Sequence, residues 1–96
     1  MFVIVRTFRR VHSMAETARR AETGIGRIVR NTPGFQGYYV FDAGGGVGGS
    51  ISFFATEGAA IEANEKAIAW IRSSLADQVQ GDPDVLLGSV IVALVP

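Results

Sequence analysis

The chain has no cysteine. Disulfides, cysteine-held iron–sulfur clusters and thiol nucleophiles are therefore excluded. It has no excess of either charge: nine basic residues balance nine acidic ones over 96 positions. That balance argues against a basic groove for nucleic acid and against an acidic tail. Lysine is nearly absent. Lys66 stands alone among arginines, a usage that suggests a GC-rich bacterial genome. No apolar stretch approaches the roughly 20 residues that a membrane-spanning helix needs. The start, MFVIVRTFRR, has neither a basic leader ahead of an apolar core nor a small-residue cleavage site. The expectation is a cytoplasmic protein that meets neither membrane nor nucleic acid.

Hydrophobic residues make up 48% of the chain, enough for the core of one domain over residues 1–96. A chain this small buries only about 60–65% of its unfolded surface, so association would add much to its stability. The most apolar part is the final run from Val85 to Val95, VLLGSVIVALV, which holds no charge. Its Val and Ile content and the flanking Pro83 and Pro96 mark it as a strand. It does not alternate apolar with polar, so both of its faces favour leaving water. Two helices can cover one face of a small sheet. A second subunit, a ligand cavity or both must cover the other.

Phe2 to Arg9 reads as a first strand, rich in β-branched and aromatic residues. Ser13 and Glu16 form a capping box that opens a helix. Its apolar stripe is Met14, Ala18, Ala21, Ile25 and Ile28. Gly24 and Gly26 either weaken this helix or let it pack closely. Asn31-Thr32-Pro33-Gly34 ends it. Phe35 to Ala43 and Val47 to Thr56 are two strands joined by the glycines Gly44, Gly45 and Gly46. These glycines join two strands, whereas a phosphate cradle sits between a strand and a helix, so they are a hairpin tip. Thr56 caps a second helix striped by Ala60, Ala63, Ala67, Ile71 and Leu75, which Gln80-Gly81-Asp82-Pro83 breaks.

The order βαββαβ predicts a ferredoxin-like α+β fold: an antiparallel four-stranded sheet with two helices on one face. Each strand has a nearly pure apolar face and a mixed one. Val3 and Val5, Tyr39 and Phe41, and Ile51 and Phe53 lie on apolar faces. Arg6, Tyr38, Ser50 and Ser52 interrupt the mixed ones. The helices are expected on the apolar face, leaving the mixed face for a sheet-on-sheet dimer around a small cavity.

With this order, the chain resembles the dimeric α/β-barrel superfamily, and within it the antibiotic-biosynthesis-monooxygenase-like domain. The resemblance rests on Pro33-Gly34-Phe35 with Gly37 leading into strand two and on the SISFF strand from Ser50 to Phe54. It also rests on the Ala-rich helix with Ala67 and Trp70, and on Gly88 near the start of strand four. It implies a homodimer through the sheet face, a cavity between helices and sheet, and oxidation of aromatic or polycyclic small molecules without metal or flavin. Haem-degrading relatives use an Asn on the first strand, a helix-borne His and a Trp. Here that Asn and that His are missing, which argues against haem degradation. RNA recognition is disfavoured too, since VGGSISFF carries no basic residue beside its aromatics.

The candidate catalytic residues are Arg6, Tyr38, Trp70 and Asn64. The candidate substrate-binding residues are Phe54, Tyr39 and His12. Arg6 would hold a carboxylate or enolate, or else pair with Asp42 or with a carboxylate across the dimer. Tyr38 and Tyr39 point to opposite faces, one toward a phenolic substrate and one toward the dimer. Trp70 would stack on an aromatic ring or serve as a core aromatic. Asn64 would polarise a carbonyl. Phe54 would line the cavity. His12, the sole histidine, is a catalytic base or an ordinary loop residue. The expected function is a cofactor-independent monooxygenase of aromatic small molecules, with a small aromatic ligand as its only partner besides itself. The alternative is a non-catalytic small-ligand-binding or stress-related dimeric module.

Overall fold

The computed structural model describes residues 1–96. Strand β1 is Phe2–Phe8. Helix α1 is Met14–Thr23 and helix α2 is Ile25–Arg30. The hairpin strands β2 and β3 are Phe35–Gly44 and Val47–Phe54. Helix α3 is Glu57–Ser74 and strand β4 is Asp84–Ser89. All strand pairs are antiparallel, in the order β2-β3-β1-β4. This is the expected four-stranded ferredoxin-like sheet with its helices on one face. No helix is long and apolar enough to cross a membrane.

The local signals produce the expected N-caps, but only half of the capping box, because Ser13 N donates to Gln78 Oε1 and the Glu16 carboxylate turns to Arg19 and Arg20. Ser13 Oγ accepts from Glu16 N at 3.3 Å, and Thr56 Oγ1 accepts from Ala59 N at 3.2 Å. Gly44, Gly45 and Gly46 all take positive φ, at 85°, 62° and 79°, which closes the hairpin in a conformation that side chains resist. On α3, Ala60, Ala63, Ala67 and Ile71 are fully or almost fully buried. Their small side chains let α3 lie close to β1 and β3. Ile4, Phe54, Ile25 and Val29 complete the core beneath it.

Three expectations need correction. The first helix is not continuous. It kinks at Gly24, although Gly24 N still donates to Arg20 O and Ile28 N to Gly24 O. The reason lies across the helix crossing, where the Trp70 ring occupies the place a Cβ on residue 24 would take. Close approach is thus the role of this glycine.

The final strand stops at Ser89 rather than Val95. β4 pairs only with β1, where Ser89 stands opposite Phe2 and Val90 N donates to Met1 O at 2.9 Å. Beyond that point no edge is offered. Ile91 to Val95 have no regular structure, and Ile91 is 91% exposed.

The sheet is also turned over relative to the expectation. The helices cover the mixed face, so Ile4, Arg6, Phe8, Ser50, Ser52 and Phe54 point inward and are buried. The helix-free face carries Val3, Val5, Tyr39, Ile51, Phe53 and Leu86, paired across the strands. Polarity alone did not identify the helix side, because the inward polar groups largely satisfy one another.

Candidate functional site

Alternation along β1 places Arg6 between Ile4 and Phe8 on the helix side, and none of its surface is exposed. The register sets it beside Ser50 of β3 and Val85 of β4. Its Nε donates to Asn64 Oδ1 of α3 at 2.9 Å. Its Nη1 lies 3.4 Å from both Ser50 Oγ and Ser52 Oγ, two long hydrogen bonds. Its Nη2 is buried with no partner. β1, β3 and α3 therefore converge on one guanidinium.

Tyr38 joins the cluster from β2. Its register partner is Ser52, so its ring also lies on the helix side. Its hydroxyl is buried and makes no hydrogen bond of acceptable geometry. Burial pushes the pKa of this phenol up to about 12, against the opposing pull of Arg6 and Ser50. It is thus a neutral group at physiological pH, able to donate its hydroxyl proton in a hydrogen bond to a ligand.

No carboxylate offsets the arginine. Eight of the nine acidic residues are exposed, and the half-buried Glu16 is held by Arg19 and Arg20. The expected pair with Asp42 does not form. Asp42 is exposed, and its Oδ1 accepts from Gly44 N at 2.8 Å. Nor can a copy on the helix-free face reach Arg6, since the sheet lies between. Burial lowers the arginine's pKa, but guanidinium is basic enough to keep its charge.

Next to this cluster is a small cavity of about 20 Å³, lined by Met14, Thr17 and Ala18 of α1 and by Tyr38, Val40 and Ser50 of the sheet. Room of that size holds about one water molecule. A larger guest has to part the helices from the sheet. α1 faces the sheet across this cavity, with the Met14 side chain packed over Gly48 of β3. α1 is also tied at its start to buried Gln78, whose Oε1 accepts from Ser13 N at 3.0 Å.

The remaining candidates lie elsewhere. Phe54 is on the helix side but meets Phe35 edge-on, with centroids 6.1 Å apart. Trp70 sits at the crossing with Gly24. Tyr39 is 64% exposed on the helix-free face, edge-on to Phe53 at 6.2 Å. His12 is exposed in the loop, where its backbone N donates to Gln78 O. The structure thus brings Arg6, Asn64 and Tyr38 together and leaves Trp70, Tyr39 and His12 apart. Ser50 and Ser52 complete the cluster. Their two-residue spacing was visible in the sequence, but their partner was not, because it depends on the β1–β3 register.

No family model and no curated protein sequence matches the chain. Solved structures do. SnoaB, a cofactor-independent oxygenase from Streptomyces nogalater solved as a point mutant, superposes with a TM-score of 0.75 at 14% identity. That match covers 97% of this chain and 95% of SnoaB. The ActVA-Orf6 monooxygenase of Streptomyces coelicolor, in complex with nanaomycin D, gives 0.70 at 23% identity over 99% and 91% of the two chains. MhuD, as a point mutant with two manganese protoporphyrin IX molecules per active site, gives 0.70 at 18% over the whole of both chains. The architecture is thus a ferredoxin-like α+β fold. More narrowly, it is the fold seen in solved structures of cofactor-independent and antibiotic-biosynthesis monooxygenases.

Proposed function

We propose that this protein is a cofactor-independent monooxygenase of an aromatic, enolisable small molecule, working as a homodimer in the bacterial cytoplasm. The observation that carries the reading is the interior cluster: a buried guanidinium and a buried phenol, each with an unused hydrogen-bonding atom. Such groups are costly inside a protein unless a guest completes them. The fold is one whose solved examples include oxygenases.

In this chemistry the substrate supplies the electrons. An acidic ring methylene gives its proton to bulk water before the substrate is enclosed, and Arg6 with Asn64 holds the resulting enolate oxygen. The carbanion passes an electron to dioxygen, and the radical pair combines. One oxygen atom becomes the new carbonyl and the other leaves as water, so that R₂CH₂ and O₂ give R₂C=O and H₂O. Neither His12 nor any carboxylate lies at the cluster, so the substrate must be acidic enough to ionise readily. Tyr38 donates to the bound oxygen, and the apolar lining keeps water out. Phe54 belongs to that apolar wall, while Trp70 sets the helix crossing above it.

The homodimer reading is supported by the helix-free face. Leu86 is 70% exposed, Tyr39 is 64% exposed, and Val3, Val5, Ile51 and Phe53 lie on the same side. A second copy laid sheet to sheet would remove this patch from water.

The direct test is turnover of anthrone under air and under argon. Oxygen-dependent formation of the quinone that is lost in Arg6→Met supports the reading. Equal rates in both atmospheres, or no turnover above the uncatalysed rate, overturn it. The small cavity favours a second reading, a non-catalytic module that binds a small ligand at the same cluster. It predicts saturable binding without oxygen uptake.

A further inference from the structure

We infer that the interior cluster selects anions: its ligand is a small organic anion whose charged oxygen seats on Arg6. This deepens the proposed function by naming the charge of the guest, and it concerns binding alone.

Arg6 is a cation with none of its surface exposed and no carboxylate beside it. Buried charges are ordinarily paired, because an isolated one is expensive to remove from water. Arg6 receives only neutral acceptors: Asn64 Oδ1 at 2.9 Å and the two serine hydroxyls at 3.4 Å. Every side chain that bonds to it leaves its charge uncompensated. Its Nη2 is the one guanidinium nitrogen with nothing to donate to, and Tyr38 Oη is the second unused group. Both can hydrogen-bond to an oxygen, and only an anionic oxygen also neutralises the site.

Geometry narrows the class further. A guanidinium nitrogen donates equally well to a carboxylate, enolate, phenolate or phosphate oxygen, so the wall beside it sets the class. The neighbouring wall of Met14, Ala18, Val40 and the Tyr38 ring is apolar and fits a ring or short hydrocarbon body. The free cavity of about 20 Å³ is smaller than such a body. Entry therefore has to move α1, which faces β2 and β3 across that cavity, away from the sheet.

The test uses formate and salicylate as anionic probes and salicylamide as a neutral probe of nearly the same shape. Binding is followed by calorimetry and thermal unfolding, at fixed ionic strength set with sodium chloride. The full chain should bind salicylate saturably, with a rise in Tm, and bind salicylamide at least about tenfold more weakly, the loss expected for one charge-assisted contact. Asn64→Asp keeps the shape of residue 64 and places a carboxylate at Arg6 Nε. It should raise Tm without any probe and weaken salicylate by a similar factor. Arg6→Met should abolish the preference for anions.

If Arg6→Met does not fold, Asn64→Asp decides the matter by itself. Equal binding of salicylate and salicylamide, no binding of either formate or salicylate, or an unchanged salicylate affinity in Asn64→Asp overturns the inference. Oxygen uptake plays no part in this test, so anion selectivity stands or falls separately from catalysis.

Discussion

Arg6 of β1 donates through Nε to Asn64 Oδ1 of α3 across 2.9 Å, a bond between residues 58 positions apart. It is the shortest of the three hydrogen bonds that this buried guanidinium makes.

Asn64→Ala removes that acceptor and leaves a second guanidinium nitrogen without a partner. The expected loss is about 1–3 kcal/mol, the cost of an unsatisfied buried donor beside a charge. Urea unfolding measures it. A midpoint unchanged from the parent would mean that water or a rotated serine replaces the amide.

Gly24→Ala tests the helix crossing. Its new Cβ would overlap Trp70 Cζ2 and Cε2. Overpacking of this kind costs about 1–3 kcal/mol. Displacing the only tryptophan should also shift its fluorescence toward that of a wetter indole. Gly49→Ala is expected to be worse, because its Cβ would overlap the Arg6 carbonyl oxygen, and backbone in a sheet cannot step aside. A Gly49→Ala protein as stable as the parent would contradict the β1–β3 register.

Leu86→Glu and Val92→Glu test the helix-free face and the apolar chain end. Leu86 is 70% exposed and Val92 71%. Each substitution puts a charge into surface that a second copy would desolvate, which costs several kcal/mol if unpaired. Light scattering should show a monomer for Leu86→Glu and a weakened dimer for Val92→Glu. A dimer mass that persists in Leu86→Glu would exclude the sheet face as the interface.

Asp77 gives a pH dependence. It receives Arg20 Nη1 at 2.7 Å and Nη2 at 3.0 Å, tying the turn after α3 to α1. Arg20, and after it Gln78, hold the carboxyl down from 3.8 to about 2. A depressed folded-state pKa adds stability above the unfolded value, and that stability is lost as protons bind. The loss therefore runs from pH 3.8 down to about 2. Asp77→Asn should lower stability modestly at neutral pH, where the ion pair is intact, flatten the profile in that window, and converge with the parent near pH 2. Because the pair is exposed, added salt should shrink the difference.

Much of the fold was legible in the sequence because its causes are local. Capping by Ser13 and Thr56, the alanine stripe of α3 and the three-glycine turn act within a few residues of themselves. They fix the order βαββαβ wherever the chain folds. The break at Gly24 was half legible: the glycine was visible, but Trp70, which requires it, lies 46 positions away and meets it only at the helix crossing.

What the sequence determined by itself was the set of elements and the two-faced character of every strand, since propensity and period are properties of neighbouring residues. The tertiary structure alone decided which face the helices cover, where β4 stops, and that Arg6 meets Asn64, Ser50 and Ser52 with no acid among them. The contacts of Arg6 depend on register and packing between segments 44 to 58 residues apart. At that separation a buried arginine can be met by amides and hydroxyls as readily as by carboxylates. Composition cannot distinguish the two. Only the second leaves no charge for a ligand to meet.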